Sequence, residues 1–570
     1  MYELLILNIH RQYDSEPLLS GDWLGVYLLA SFMERNGHPT RAFAGYVHEA
    51  EVLLEEQMEL GVQVIGFSCD YENQIEVEEL SREVKKRYGV PVIIGGPQAV
   101  ALDKDKDFFV RSGADVVVRG EGELPLLSLM NFYVDGTGIL ENIHGVTFMD
   151  GDTLVRTPDQ ELIQNLDALP FPDSKLNLGS WFRKNSAAFL TARGCPFRCA
   201  FCYEGGNTKV VRYRSVENVM EEVRQVLDSR PDIRFFLFTD DTFTLDMERL
   251  RRFCKELSEY RKERDFGWFA EAHPALIVNR PDILPVMIDA GLYILQIGIE
   301  SGSPEVLNAY NKRTTPEMIM KTVKMCADAG LTQMVGNIIV GGAFESEETI
   351  NMSKQFGLDL LEAGIGMLEV NAIHFWPLPG TAMTKCPEKF GLEIVDPHSM
   401  ASVTDYPVVR SRSLSVERLS GLRADMERTF NDKIMSLAPN LSEELAMRIF
   451  QNVEKYGGYR ARWFQAIYAI ERIRKFCSLL RSGAISHFYS VPAEEADDWH
   501  PQRTCAPRVE NGRNFGGDIE IDDELYKVLV ASSGRQTVSQ AVHWCGISRD
   551  TFLRRAEELE RRMMLGFCKH

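Results

Sequence analysis

The chain has 570 residues, 45% apolar and 26% charged, an ordinary globular composition whose length predicts several domains. Its formal net charge of -20 works against phosphate-rich surfaces, so neither nucleic acid nor an anionic membrane is an expected partner. No apolar run reaches the length of a membrane span, and "MYELLILNIH" (1–10) reads as a first strand, so the expected location is cytoplasmic.

Over residues 1–140, short β-branched runs alternate with amphipathic stretches. "ELLILNI" (3–9), "VQVIGFS" (62–68), "VPVIIGG" (90–96) and "ADVVVRG" (114–120) are expected strands; "WLGVYLLASFMERNG" (23–37) and "NQIEVEELSREVKKRYG" (73–89) have helical spacing and end on glycine. Continuous apolar strands suit a parallel sheet buried on both faces, hence a doubly wound α/β domain. Ligands of such sheets sit beyond the carboxyl ends of the strands. Ser68, Gly95-Gly96-Pro97 and Gly120-Glu121-Gly122 mark three of those ends. Turns alone account for such glycines as well as a ligand does.

Residues 141–185 are expected to be a connector, broken by "LPFPD" (169–173). Over 186–400 six strand candidates follow, "AAFLTAR" (187–193), "RFFLFT" (234–239), "GWFAEA" (267–272), "YILQIGIE" (293–300), "MVGNIIVG" (334–341) and "LEVNAIHF" (368–375), with helical stretches between them. That series predicts a partial (β/α)6 barrel of the TIM type, whose chemistry gathers at the strands' carboxyl ends. Residues 401–570 read as mostly helical. "VPAEEADDWHPQRTCAPRVENGRNFGGD" (491–518) is an expected loop, and 537–563 an expected winged-helix-like tail with a turn at Gly546 and Ser548 as N-cap. Trp463, Phe464, Tyr468 and Trp499 sit at helical spacing and are expected in the core more than in a site.

Three of eleven cysteines, Cys195, Cys199 and Cys202, fall within "RGCPFRCAFC" (193–202). The other eight, Cys69, Cys254, Cys326, Cys386, Cys477, Cys505, Cys545 and Cys568, are scattered and read as small buried hydrophobes. One loop with this spacing can bind three irons of a [4Fe–4S] cube and leave the fourth open. A structural zinc site completed by a remote residue is the competing reading.

Cys195-x3-Cys199-x-Phe201-Cys202, directly after a first barrel strand, resembles the signature of the radical S-adenosylmethionine (AdoMet) enzymes. "NLDALPFPD" (165–173), "FLFTDDTFTLD" (236–246), "IGIESGSPEVLNAYNKRTT" (297–315) and "PLPGTAM" (377–383) resemble the cobalamin-binding subgroup of that family, as do "IIGGPQ" and "VVRGEGE" in the first domain. The resemblance covers residues 1–385. It implies a Rossmann-like cobalamin-binding domain, a [4Fe–4S] cluster on the three cysteines, and AdoMet on the open iron. It places Phe201, Asp240, Asp241, Glu300 and Ser301 around AdoMet, although Asp241 can instead cap the following helix. Ser68, Gly95, Gly96, Pro97, Gly120, Glu121 and Gly122 become the cobalamin-facing positions.

Two departures stand out. Where the family usually has Gly-x-Pro-Gly-Glu-Thr, this chain has "GGAFES" (341–346), with Ala343 and Phe344 in place of proline and glycine. The Asp-x-His-x-x-Gly motif is also absent: "NIHRQY" (8–13) keeps only His10, read as a loop residue without cobalt.

The resemblance implies that one AdoMet methylates the cobalamin and a second yields a 5′-deoxyadenosyl radical. A substrate radical then takes the methyl group from methylcobalamin. The expected function is therefore C-methylation of an unactivated carbon in a natural product or peptide, with an electron donor such as flavodoxin or ferredoxin. No catalytic side chain is assigned. Ring contraction, cyclisation or oxidation without methyl transfer is the first alternative. A cobalamin- or redox-sensing regulator is the second, disfavoured because "RDTFLRRAEELERR" (549–562) mixes acids among its arginines.

Overall fold

The N-terminal runs pair as expected. In the computed structural model, which describes residues 2–10, 24–179, 186–395, 406–457, 461–487 and 495–569, β1 (Leu4–His10) lies between β2 (Thr40–Tyr46) and β3 (Val64–Ser68), followed by β4 (Val92–Gly95) and β5 (Val116–Val118). All four pairings are parallel. Alternate residues feed two cores, Leu5, Leu7 and Ile65 on one face and Leu4, Ile6 and Val64 on the other, which is the doubly wound arrangement. The helix Gln74–Tyr88 buries Val77, Leu80 and Val84 on one stripe and stops at Gly89, φ 69°.

Two features differ from expectation. β2 was not expected, because "TRAFAGY" breaks its apolar run with Arg41 and Gly45; an edge position tolerates that. The sheet also continues past residue 140: β6 (Val146–Asp150) and β7 (Thr153–Arg156) extend it antiparallel from β5. Part of the expected connector is therefore sheet.

The second sheet holds β8 (Ser186–Phe189), β9 (Phe235–Phe238), β10 (Gly267–Ala272), β11 (Leu292–Glu300), β12 (Gln333–Val340) and β13 (Leu368–His374) in chain order. Pairing is parallel from β8 through β11, and β8 and β13 are the two edges, as in an open barrel.

The chain packs as two compact units. Met1–Met325, Asn337–Phe356 and Ala372–Asp425 form the first; Cys326–Gly336, Gly357–Asn371 and Met426–His570 form the second. In the second unit Trp463 is 2% exposed and donates through Nε1 to the Leu368 carbonyl. The expected loop 491–518 is not a loop where it is described. β14 (Pro507–Glu510), β15 (Arg513–Gly516) and β16 (Ile519–Ile521) form an antiparallel sheet. Asn511 (φ 50°) and Gly512 (φ 75°) make its first turn, the left-handed pair a two-residue hairpin favours. Helices Asp523–Ala531, Val538–Cys545 and Arg549–Arg561 follow, with Gly546 (φ 65°) ending the second and Ser548 capping the third. Among the described residues no helix is long and apolar enough to cross a membrane.

Candidate active site at the cysteine loop

The loop after β8 is held by its backbone. Cys195 N–H donates to the Thr208 carbonyl at 3.0 Å, Ala200 N–H to Tyr310 at 2.8 Å, and Met383 N–H to Ala200 at 3.1 Å. Gly194 (φ 92°) opens the loop; a Cβ there would lie 2.4 Å from the Val210 carbonyl, so only glycine fits. Cys195 and Cys199 are buried and Cys202 half-buried, and all three line one cavity of about 340 Å³. Among the described residues they are the cavity's only cysteines, and no three His, Cys, Asp or Glu side chains converge as for a single metal ion. Burial raises the Cys195 and Cys199 thiols above their ordinary value. Three thiols on one loop, facing a common cavity, are a donor set that fits a [4Fe–4S] cluster with one open iron.

The strand ends supply the other walls. Asp241 and Thr242 follow β9, and Thr242 Oγ1 lies 3.6 Å from Cys195 Sγ. Burial and the neighbouring Asp240 carboxylate push Asp241 above the usual carboxylate range. Gln296 Nε2 on β11 donates to Glu271 Oε1 on β10 at 2.8 Å. Glu300, the last residue of β11, takes φ 61° and accepts from Lys312 Nζ at 2.7 Å. Strain of that kind, at a buried charged pair, is what functional sites hold. Lys312 also lies 5.8 Å from the ring centroid of Phe201, which lines the cavity. His273 stacks on Phe197 at 4.0 Å.

Two expected AdoMet-facing residues stand behind the wall. Asp240, 3% exposed, accepts from the Thr191 and Ala192 amides and the Thr191 hydroxyl. Ser301 is fully buried and bonds Ser353 Oγ at 2.9 Å. Neither lines the cavity. Asp241 does not cap the next helix; Asp246 does.

Among the described residues, the carboxyl end of the first sheet is open. Ser68 pairs with Gly95 and both are half-buried, while Gly96, Pro97 and Gly120 are exposed. Among the described residues, a Cβ at Gly120 would meet nothing within 4 Å. Such a low edge admits a large planar ligand to the backbone, so these residues fit a cobalamin. Gly96 (φ 97°) has a further reason to be glycine: its Cβ would lie 2.6 Å from the Cys69 carbonyl oxygen. Glu121 turns toward the barrel, accepting from Arg193 at 2.8 Å and Arg212 at 2.9 Å, while Glu123 takes the other Arg193 nitrogen. Burial raises Glu121, but those arginines and the Ile163 amide bring it below the usual range. Gly122 is half-buried beside it. Tyr71, just beyond β3, reaches the cysteine-lined cavity and lies 5.7 Å from the Trp376 ring.

His10 is corrected: it ends β1, 2% exposed, with Nε2 2.5 Å from Asn8 Oδ1. Residues 11–13 of its motif lie outside the described residues. Phe344, at the place where the resemblance implies glycine, takes a left-handed φ of 56°, and Glu345 Oε2 accepts from the Gly341 and Gly342 amides. Sequence reasoning missed Tyr71, Gln296, Lys312 and His374 in the cavity wall. For Gln296 and His374 the available signal was a polar residue inside an otherwise apolar strand, which burial tolerates only when it is paired or used; Tyr71 and Lys312 lie outside strands and carried no such signal.

Known proteins agree with this architecture. The family model described as radical SAM superfamily matches residues 189–356, and that of the B12 binding domain matches 16–130. An uncharacterized methyltransferase of Pyrococcus horikoshii is 27% identical over 375 residues, 64% of this chain and 78% of its own. The anaerobic magnesium-protoporphyrin IX monomethyl ester cyclase of Rubrivivax gelatinosus is 29% identical over 257 residues, 43% of this chain and 45% of its own, so less than half the cyclase is spanned. Among solved structures, the radical S-adenosylmethionine methyltransferase TsrM of Kitasatospora setae, with cobalamin and a [4Fe–4S] cluster bound, superposes with TM-score 0.55 at 15% identity. That match covers 98% of this chain and 100% of that one, a likeness of fold. The cysteine loop at the barrel mouth, the open α/β sheet before it and both domain matches lead to one assignment: the chain is a cobalamin-binding radical SAM enzyme.

Proposed function

We propose that the chain is a C-methyltransferase acting on an unactivated carbon. The carrying observation is the single cavity lined both by the three cysteines and by Tyr71 from the cobalamin-binding domain. When bound, the cluster and AdoMet supply a carbon-centred radical and cobalamin supplies the methyl group. Cys195, Cys199 and Cys202 hold the cluster. Phe201, Asp241 and Glu300 flank AdoMet, whose ammonium and hydroxyls suit carboxylate acceptors. Asp240 and Ser301 act as positioning residues through the Thr191 and Ser353 contacts given above. Ser68, Gly95, Gly96, Pro97, Gly120 and Gly122 present backbone to the corrin, and Glu121 ties that domain to the barrel through Arg193 and Arg212. Phe197, Phe375 and Trp376 give the cavity an apolar wall that excludes water, which a radical requires. A flavodoxin- or ferredoxin-type donor delivers the electron.

The methyltransferase named among the relatives supports this reading. The cyclase supports a second, in which the same cofactors act without methyl transfer. By-products separate them. With substrate, methyl transfer consumes two AdoMet molecules, one giving S-adenosylhomocysteine and one 5′-deoxyadenosine, so the two should accumulate in equal amounts. Nucleoside with no homocysteine product would favour the second reading.

A further inference from the structure

His374 closes β13 and is 1% exposed. It lines the cavity onto which the three cysteines open. Neither ring nitrogen has a hydrogen-bond partner among the described residues. Polar neighbours around the cavity are engaged: Gln296 with Glu271, Lys312 with Glu300, and His273 with the Lys312 carbonyl and the Ala275 amide. A buried polar group left unpaired bears its full desolvation cost, so native structures keep few of them, and a bound molecule is one way to satisfy them. Burial and the Arg423 guanidinium lower His374 to about 3, leaving a neutral ring with one donor and one acceptor. Such a ring offers no cation to a carboxylate, and the Asp241 carboxyl lines the same cavity.

We propose that His374 hydrogen-bonds an uncharged amide or hydroxyl of the substrate and thereby selects which molecules the barrel accepts. This rests on the cavity being the substrate site of the methyltransferase reading. Corrin amides and nucleoside hydroxyls share that chemistry, so the test has arms for each.

The full chain, loaded anaerobically with cluster and hydroxocobalamin, would carry 13Cε1-labelled histidine, with the His374 signal assigned by its loss in His374→Gln. Butyramide and 1-butanol should each shift that signal saturably; butyrate should not. In His374→Leu, butyramide affinity read on the His273 signal should fall about threefold to tenfold, the worth of one neutral hydrogen bond. His374→Gln, which keeps a donor and an acceptor, should recover most of it. Cobalamin absorbance retained in both variants shows that they fold. The amide response should persist after AdoMet is added. No response to either neutral probe, a larger response to butyrate, or a signal already saturated by cobalamin or AdoMet would overturn the assignment. If by-product ratios instead refuted methyl transfer, the probe response would stand unchanged, so the two failures are distinguishable.

Discussion

Removing the cation beneath Glu300 tests how the barrel mouth is held together. Lys312 is 8% exposed and Glu300 6%, with Nζ 2.7 Å from Oε1. Lys312→Met leaves that carboxylate buried and uncompensated, a change that costs about 3–5 kcal/mol, whereas removing both partners costs far less. Solvent screening takes little from this figure, because both groups are under a tenth exposed. The Lys312→Met/Glu300→Gln double variant should therefore lose at least about 2 kcal/mol less than the sum of the single losses. Burial lowers Lys312, but Glu300 raises it above the ordinary lysine value. Its contribution is thus fully present at neutral pH and is lost only as pH climbs through that raised value. Urea unfolding followed by tryptophan fluorescence, to which the fully buried Trp268 of the barrel contributes, reads the loss. A Lys312→Met loss under about 1 kcal/mol, or strict additivity in the double variant, would show that the Glu300 carboxylate does not depend on this lysine.

Three further outcomes are expected. Gly96→Ala should abolish hydroxocobalamin binding and strongly lower thermal stability, because its Cβ meets Cys69 backbone at 2.6 and 2.8 Å; Gly120→Ala, with open space around it, should cost only about 1–2 kcal/mol of left-handed strain. Phe344→Gly should leave stability within about 1 kcal/mol, since the φ of 56° suits glycine, while β-branched Phe344→Val should lower it by more than that in the same melts. Burial holds His10 at about 4, and burial with Arg423 holds His374 at about 3, against an unfolded value of 6.5. The unfolded chain takes up these protons first, so stability is present above pH 6.5 and falls from there toward pH 4 and 3. Between pH 6.5 and 5 each histidine accounts for about 2 kcal/mol of that loss, and urea unfolding of His374→Leu should show a correspondingly shallower pH dependence.

Strands buried on both faces are the most legible part of this chain. β1, β3, β4 and the six barrel strands are apolar runs of the right length, and each starts or ends within two residues of its expected bounds. β2 escaped because an edge strand needs less apolar continuity. The hairpin at Asn511-Gly512 escaped although its dipeptide is a strong turn signal; the charged residues around it, Arg508, Glu510 and Arg513, read as a loop. That Cys195, Cys199 and Cys202 share one loop was legible from their spacing. The rest of the cavity lining was not, because Tyr71, Gln296, Lys312 and His374 come from four different segments that only the fold brings together. Glu121 shows the reverse case: a strand-end residue that looks like a ligand contact in sequence, but whose charge is taken by Arg193 and Arg212.

In the methyl-transfer reaction a methyl group passes by way of the bound cobalamin to a carbon of the substrate. The most direct measurement uses enzyme loaded with unlabelled methylcobalamin and supplied with reductant, substrate and methyl-deuterated AdoMet. Mass spectrometry should show the first product equivalent unlabelled and every later one carrying three deuterons, because each methyl group must pass through the corrin. Product labelled from the first turnover would contradict the cobalamin route, and product that never gains the label would contradict methyl transfer itself.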